Sequence, residues 1–272
     1  MGLRINTNVA ALNAIRILRK NTLDLNKTLE RLSSGLRINR AADDAAGLAI
    51  AEGFRAVVRG SRVAIRNAQD GISLIQTAEG ALIESSNILQ RIRELAVQSA
   101  NGTNSDQNRV ALDTEVSQLL QQLDAIARDT EFNGFRMLSV ATSILIQVGP
   151  YSGQLMTIAI NGAKTSDLGI SGLSISTQAG AVTALSLVDN ALKSVNILRS
   201  NLGAFQNRLE FTISVLEIQE ENAAYSESQI RDADIAQETV RFTRNQILVS
   251  AGTSVLAQAN VIPQTALQLL RG

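Results

Sequence analysis

The stretch IAEGFRAVVRGSRVAIRNAQDGISLIQTAEGALIESSNILQRIRELAVQS, residues 50–99, decides the architecture. Within it Ile50, Phe54, Val57, Ser61, Ala64, Ala68, Gly71, Ile75, Ala78, Leu82, Ser85, Leu89, Ile92, Ala96 and Ser99 follow strict 4-3 spacing, and none is charged. Arg55, Arg59, Arg62, Arg66, Asp70, Glu79, Glu84, Arg91, Arg93 and Glu94 fall off that line. A 4-3 repeat keeps one narrow stripe on one side of a helix, which is the seam of a coiled coil. At ~1.5 Å per residue, a helix from near Asp44 to Ala100 is roughly 85 Å long. Ser61, Ala64, Ala68 and Gly71 are small, so a partner helix can approach closely there.

Working outward, Ile5, Val9, Leu12, Ile15, Leu18, Leu25, Leu29 and Leu32 line one face of a first helix. Gly35 stands where a helix stops in the left-handed conformation, with Leu36 expected to fold back on Leu32 in a Schellman arrangement. After the polar loop NGTNSD, a third helix carries Leu112, Val116, Leu119, Leu123 and Ile126 at 4-3-4-3 spacing. The middle changes character: residues 131–180 hold seven of the 18 glycines and one of the two prolines. ILIQV (144–148) and LMTIAI (155–160) flank GPYSG and read as a β-hairpin with a longer turn. The segment from there to Gly180 is expected to wander over the bundle surface. Helical periodicity resumes with Leu185, Val188, Leu192 and Val195, then shifts phase to Leu198, Leu202, Phe205, Leu209, Ile213 and Leu216. A last helix begins near Ile230, and Pro263 is expected to kink it. The fold class is therefore mainly α: a long antiparallel helical bundle or coiled coil with a small β-hairpin excursion. Its expected parts are a terminal helix over 1–42, a bundle with hairpin over 43–180, a completing bundle helix over 181–229, and a second terminal helix over 230–272. The two terminal segments, both amphipathic, are expected to pair.

Composition removes most chemistry. The 272 residues carry 25 basic and 25 acidic side chains, no Cys and no His. Zero net charge argues against a nucleic-acid partner, which calls for a basic face. Without thiols or imidazoles there is no thiol nucleophile, disulfide, imidazole base or soft-metal site. No cofactor or metal is expected. MGLRINTNVAALNAIRILRK is no cleavable signal, because Asn6, Thr7, Asn8 and Asn13 break its longest uncharged run. Asp43-Asp44, Glu220-Glu221 and Asp232/Asp234 read as helix caps and charged faces in preference to paired catalytic carboxylates.

One run stands apart. Residues 245–270, NQILVSAGTSVLAQANVIPQTALQLL, contain no Lys, Arg, Asp or Glu. Asn245, Gln246, Ser250, Gln258, Asn260 and Gln264 are among the polar residues that break every span of the roughly 18 apolar residues a membrane helix needs. A surface-lying helix would carry Lys or Arg on its polar side. No membrane is expected, so the apolar side must pack on protein while the other side stays polar and neutral.

These residues resemble bacterial flagellin at both ends. The likeness is carried by MGLRINTNVAALNA, LERLSSGLRINRAADDAAGLAI, RNAQDGISLIQTAEGAL and LQRIRELAVQSANGTNS in the N-terminal half, and by LGAFQNRLE, QIRDADIAQETVRFTRNQIL and AQANVIPQTALQLLRG in the C-terminal half. Together they span most of 1–138 and 181–272. Only about 45 residues separate the halves, whereas many members insert large outer domains there, so the resemblance implies a filament built from inner helical domains alone. It implies a non-enzymatic structural subunit, secreted without signal cleavage by the flagellar export apparatus and polymerised into the extracellular filament for motility. The alternative is a hook–filament junction protein, whose termini look similar.

The resemblance also implies partners and sites. The chain should form a homopolymer, with Leu12, Ile15, Leu18, Leu25, Leu29, Ile247, Leu248, Val255, Leu256 and Leu267 in the polymerisation interface. The terminal helices should line the filament lumen, where a neutral polar face suits a channel that passes chains of every charge. Further implied partners are an export chaperone at the C-terminal helix, hook-associated and cap proteins, and a host Toll-like receptor. QRIRELAVQSA and LDTEV place the receptor motif at Arg91, Leu95 and Glu115.

Overall fold

Nine secondary-structure elements follow one another along the computed structural model, which describes residues 7–271, with side chains as far as Val261. Helix α1 spans Val9–Ser34, α2 Ala45–Ala100 and α3 Asp106–Asp129; the strand pairs are β1 Glu131–Phe132 with β2 Phe135–Arg136, and β3 Thr142–Gln147 with β4 Leu155–Ile160; α4 spans Gln178–Arg231 and α5 Ile235–Arg271. Contacts divide the chain into one unit of Met1–Ala56 with Asn222–Gly272 and another of Val57–Glu221.

In the second unit the α2 seam is the axis of the core. From Ser61 to Ser99 each of the expected seam positions is buried, whereas Ile50 is exposed and Phe54 and Val57 are half-buried. Ile75, Leu82, Leu89 and Ile92 lie fully inside, against Val116 and Leu123 of α3 and Val188, Val195 and Leu209 of α4. Ser105 accepts a bond from Asn108 N (3.3 Å) and starts α3. The α4 seam has no phase shift. Ala181, Ala184, Val188, Ala191, Val195, Leu198, Leu202, Leu209 and Leu216 keep one phase, because alanines too small to mark a periodicity carry it between the leucines.

The small residues of α2 admit more than a helix. Strands β3 and β4 pair antiparallel with Ile144 opposite Ile158. This hairpin lies on α2, its Ile146 at Gly71 together with Leu209 of α4. Asn67 donates to Gln147 O (3.0 Å). A Cβ at Gly60 would sit 2.7 Å from Pro150 Cβ, so the turn of the hairpin requires glycine there. Sequence periodicity missed the β1–β2 hairpin, although Asn133-Gly134 is a strong two-residue turn signal; both have positive φ (48° and 79°), as a type I′ turn demands.

The segment before α4 does not wander over the surface. Ala163, Leu168, Ile170 and Ile175 are buried in the core. Two α3 carboxylates pin it: Asp124 accepts from Thr165 N (2.8 Å) and Oγ1 (3.0 Å), and Asp113 from Ile175 N (2.6 Å) and Ser174 Oγ (3.0 Å). Buried loop amides need acceptors, and these aspartates supply them without any periodic signature.

In the first unit α1 and α5 pair antiparallel. Asn8 Nδ2 donates to Ala259 O (2.8 Å) near one end, and Arg31 pairs with Glu238 (3.1 Å) near the other. Asn8 also caps α1, its side chain accepting from Ala11 N (3.0 Å). Gly35 (φ 72°) ends α1 with its N–H on Arg31 O (2.9 Å). This is a plain left-handed stop rather than a Schellman motif, because Leu36 N turns to Ser34 Oγ and Leu36 forms an antiparallel bridge with Asp232. Asp44 caps α2 through Gly47 N (2.9 Å), and Asp234 caps α5 through Gln237 N (3.1 Å). The α4–α5 break thus falls at residues 232–234, not before Ile230. Helix α5 runs on past Pro263.

Candidate assembly interface

Each terminal helix presents two faces. On α1 the inward face is Ala11, Ala14, Leu18, Asn21, Leu25, Thr28 and Leu32, all buried or half-buried. On α5 it is Glu238, Phe242, Asn245, Val249, Gly252, Leu256 and Ala259. Both obey 4-3 spacing, and both are rich in small or polar residues, so the two backbones lie close. Gly252 faces Leu18, where an added Cβ would come within 3.2 Å of Leu18 Cδ1. The bulkier side chains point the other way. Leu12, Ile15 and Leu29 of α1 and Ile247, Leu248 and Val255 of α5 are exposed, Leu12 at 58% and Val255 at 57%.

This corrects the single hydrophobic face expected for α1, which mixed residues of both sides. Leu18, Leu25 and Leu256, expected between subunits, are half-buried on the inward face, and Leu18 meets α5 of its own chain. The expected contact at Leu267, and the side chains of Ile5, Pro263 and Gln264, lie outside the described residues. The outward faces carry shallow grooves: one of about 510 Å³ lined by Val9, Ala10, Leu12, Asn13 and Arg16, and one of about 410 Å³ lined by Thr239, Val240, Thr243, Arg244, Ile247 and Leu248.

An ion cluster that no periodicity announces fixes the register of the pair. Glu238 is nearly fully buried between Arg31 (3.1 Å) and Arg241 (2.9 Å). Nearby, Arg37 donates to the terminal carbonyls of α4, Gln229 O at 3.2 Å and Ile230 O more closely. Asp43 pairs with Lys27 (2.7 Å), and this partner above all, followed by the Arg40 and Asn39 amides, outweighs burial and holds its carboxyl below the ordinary 3.8. These carboxylates tie helices together and form no acid–base pair. No group of metal-ligating side chains occurs among the described residues, and no described helix is long and apolar enough to cross a membrane.

The expected receptor motif is brought only partly to the surface. Arg91 donates to Glu115 (3.0 and 2.9 Å) and to Glu94 (3.0 Å), and all three are exposed. Glu115 first, then Glu94, raises the Arg91 pKa. Leu95 is 1% exposed, on the buried side of α2 beside Ile92 and Ala96, so it cannot be a surface contact.

Residues 5–142 match the family model of the bacterial flagellin N-terminal helical region, and residues 185–270 match that of the C-terminal helical region. The chain belongs to the flagellin family. Flagellin from Halalkalibacterium halodurans is 48% identical over 270 residues, covering 98% of this chain and 99% of the relative. A flagellar filament core protein of Brachyspira hyodysenteriae is 45% identical, with coverage of 98% and 99%. Among solved structures, flagellin of Bacillus cereus is similar at a TM-score of 0.50 and 36% identity, over 55% of this chain and 88% of that one. A flagellar hook-associated protein from Vibrio parahaemolyticus, TM-score 0.58 but 14% identical, shares the fold over 70% of this chain and all of that one. The chain is a structural subunit of a flagellar filament, in a family that is not one of enzymes. The junction-protein alternative is not favoured, since its likeness reaches only to the fold.

Proposed function

We propose that the outward apolar faces of α1 and α5 are the inner contacts of the filament, covered by the same faces of neighbouring copies. The observation that supports this is the two-sidedness of the pair. Its inward seam is already filled by the chain's own helices, yet Leu12, Ile15, Leu29, Ile247, Leu248 and Val255 remain in water. Burying a Leu or Val side chain contributes about 1.5–3 kcal/mol, so six such residues per subunit favour assembly. A pair that leaves its largest side chains exposed is held weakly in the monomer, where ordering costs ~1–2 kcal/mol per residue in backbone entropy. The neutral run 245–270 then suits a lumenal lining. Export from the cell without cleavage, a chaperone on α5 before assembly, and hook-associated and cap proteins at the filament ends accompany this role. Host recognition by a Toll-like receptor would use exposed Arg91 and Glu115, with Leu95 shaping α2 from inside.

Limited proteolysis of monomer and filament tests the assembly reading. Cuts beside Leu12 and Val255 should trim the monomer to roughly residues 40–230 and spare the filament; equal protection in both states would refute it.

A further inference from the structure

Asn-Gly occurs three times in the chain, at 101–102, 133–134 and 161–162. Glycine leaves its own main-chain nitrogen open to approach, so that nitrogen can attack the side-chain amide of the asparagine before it. The fold puts the three pairs in different surroundings. Asn133 (φ 48°) and Gly134 (φ 79°) are clamped in the turn that joins Phe132 to Phe135. At Gly162 the Asp167 carboxylate stands where a Cβ would be, and its negative charge opposes loss of the amide proton.

The pair in the turn between α2 and α3 is set up for reaction. Asn101 and Gly102 are both exposed. Asn101 Oδ1 accepts from Thr103 N (3.4 Å), an Asx turn that folds the side-chain amide back over the peptide joining Asn101 to Gly102. Nothing crowds Gly102, where a Cβ would meet only Gln178 Nε2 at 3.9 Å. The carbonyl of that same peptide, Asn101 O, accepts from Asn104 N (3.3 Å) and from Arg109 Nη2 (3.0 Å). Arg109 is 4% exposed, and its Nη1 has no hydrogen-bond partner. Its ion pair with Asp106 is long, at 3.8 Å, and that carboxylate stands in solvent. A buried cation on an amide oxygen stabilises the anion formed when the amide nitrogen loses its proton, as a close opposite charge does for any acid. Gly102 N is that nitrogen. Of the three pairs, this one alone has its carbonyl on a cation among the described residues.

We infer that Asn101 is a site of self-modification, deamidated by attack of Gly102 N with Arg109 activating the peptide. The deprotonated Gly102 N forms a bond to Asn101 Cγ, and the bond from Cγ to Nδ2 breaks. Nδ2 leaves as ammonia with a proton from water, and a cyclic imide remains. One water then opens the imide at either carbonyl, giving aspartate or isoaspartate at 101. The reaction consumes water alone and needs no oxidant. Its product adds a negative charge next to the carbonyl that Arg109 holds and, in the iso form, an extra main-chain methylene in the turn that joins α2 to α3.

The test is to age the chain in mildly alkaline buffer, folded or in urea, and to read aspartate plus isoaspartate at each Asn-Gly by peptide mapping and mass spectrometry. Unfolded, the three pairs share one local chemistry and should react alike. Folded, 101 should exceed 133 and 161 by at least about tenfold, the effect of a close cation on an anion. Gly102→Ala should keep its helicity and lose the product at 101. Arg109→Gln should slow the reaction at 101 by about tenfold and leave 133 and 161 unchanged. Equal products at the three sites of the folded chain, or a lead at 133 or 161, would overturn the inference. So would an undiminished product at 101 in Gly102→Ala, or in an Arg109→Gln chain that keeps its helicity. The contrast between folded chain and urea is measured on the wild type, so it decides the matter even where a variant unfolds.

Discussion

Replacing Gly60 by Ala sets two effects of known sign against each other. Ala is a better helix former than Gly by about 1 kcal/mol, so in open helix the change stabilises. Gly80 is such a position, since a Cβ there meets nothing within 4 Å. At Gly60 the new Cβ falls 2.7 Å from Pro150 Cβ and 3.1 Å from Pro150 Cα. These are parts of a ring and a backbone, not the end of a flexible side chain, so the hairpin turn itself must move. Overpacking of this kind costs about 1–3 kcal/mol, and lifting the hairpin also loosens buried Ile146 and Ile158. We expect Gly60→Ala to be destabilised by roughly 1 kcal/mol net and Gly80→Ala to gain about 1 kcal/mol, a difference of about 2 kcal/mol. Urea unfolding followed by helical circular dichroism, at equal slope, measures both. A Gly60→Ala protein as stable as Gly80→Ala would show that the hairpin does not bear on α2 as described.

The ion cluster, the ion-paired Asp43 and the surface arginine each yield a further expectation. Glu238→Ala leaves half-buried Arg31 without its carboxylate and should cost about 2 kcal/mol, read as faster deuterium exchange of α1 and α5; unchanged exchange would mean that Glu238 does not set the register. Asp43 has a folded pKa below its unfolded value, so its contribution is present above about pH 4 and is lost as pH falls through the folded pKa. The stability gap between wild type and Asp43→Asn should therefore be constant from pH 5 to 7 and shrink in acid, and a gap that widened in acid would contradict the assignment. Arg91→Ala should weaken activation of a Toll-like receptor reporter strongly while leaving urea stability within about 0.5 kcal/mol, and equal activation by both proteins would remove Arg91 from that surface.

What was legible in the sequence depended on side-chain size. The α2 seam could be read because Ile75, Leu82, Leu89 and Ile92 are large and every interruption is uncharged. In α4 the same geometry was hidden by Ala181, Ala184 and Ala191, and the apparent phase shift came from taking half-buried Leu185 and Leu192 for the seam in place of their alanine neighbours. In α1 and α5 size misled in the opposite sense. Ala11, Thr28, Gly252 and Ala259 face the partner because two backbones must come close, and the bulky residues are left outside. A pattern search finds large apolar residues, not the side on which their partner lies. The segment before α4 was beyond reach for a different reason, since its burial depends on Asp113 and Asp124, which lie 41–62 residues away in the chain. The assembly role itself was legible through the resemblance of both ends, whereas the buried position of Leu95 required the fold.

The central claim is that the inward faces of α1 and α5 belong to the chain and the outward faces to its neighbours. Val255 and Leu256 are adjacent in sequence but lie on opposite sides of that division, one exposed and one half-buried. The direct test is the yield of sedimentable filament from seeded Val255→Asp monomer, with its helicity and thermal unfolding measured beside those of Leu256→Asp. A charge at Val255 stays hydrated in the monomer but must be buried without a partner in the polymer, at a cost of several kcal/mol per subunit. The account predicts that Val255→Asp monomer unfolds like wild type and gives no filament, whereas Leu256→Asp loses helicity as a monomer. Normal filament yield from Val255→Asp would contradict it.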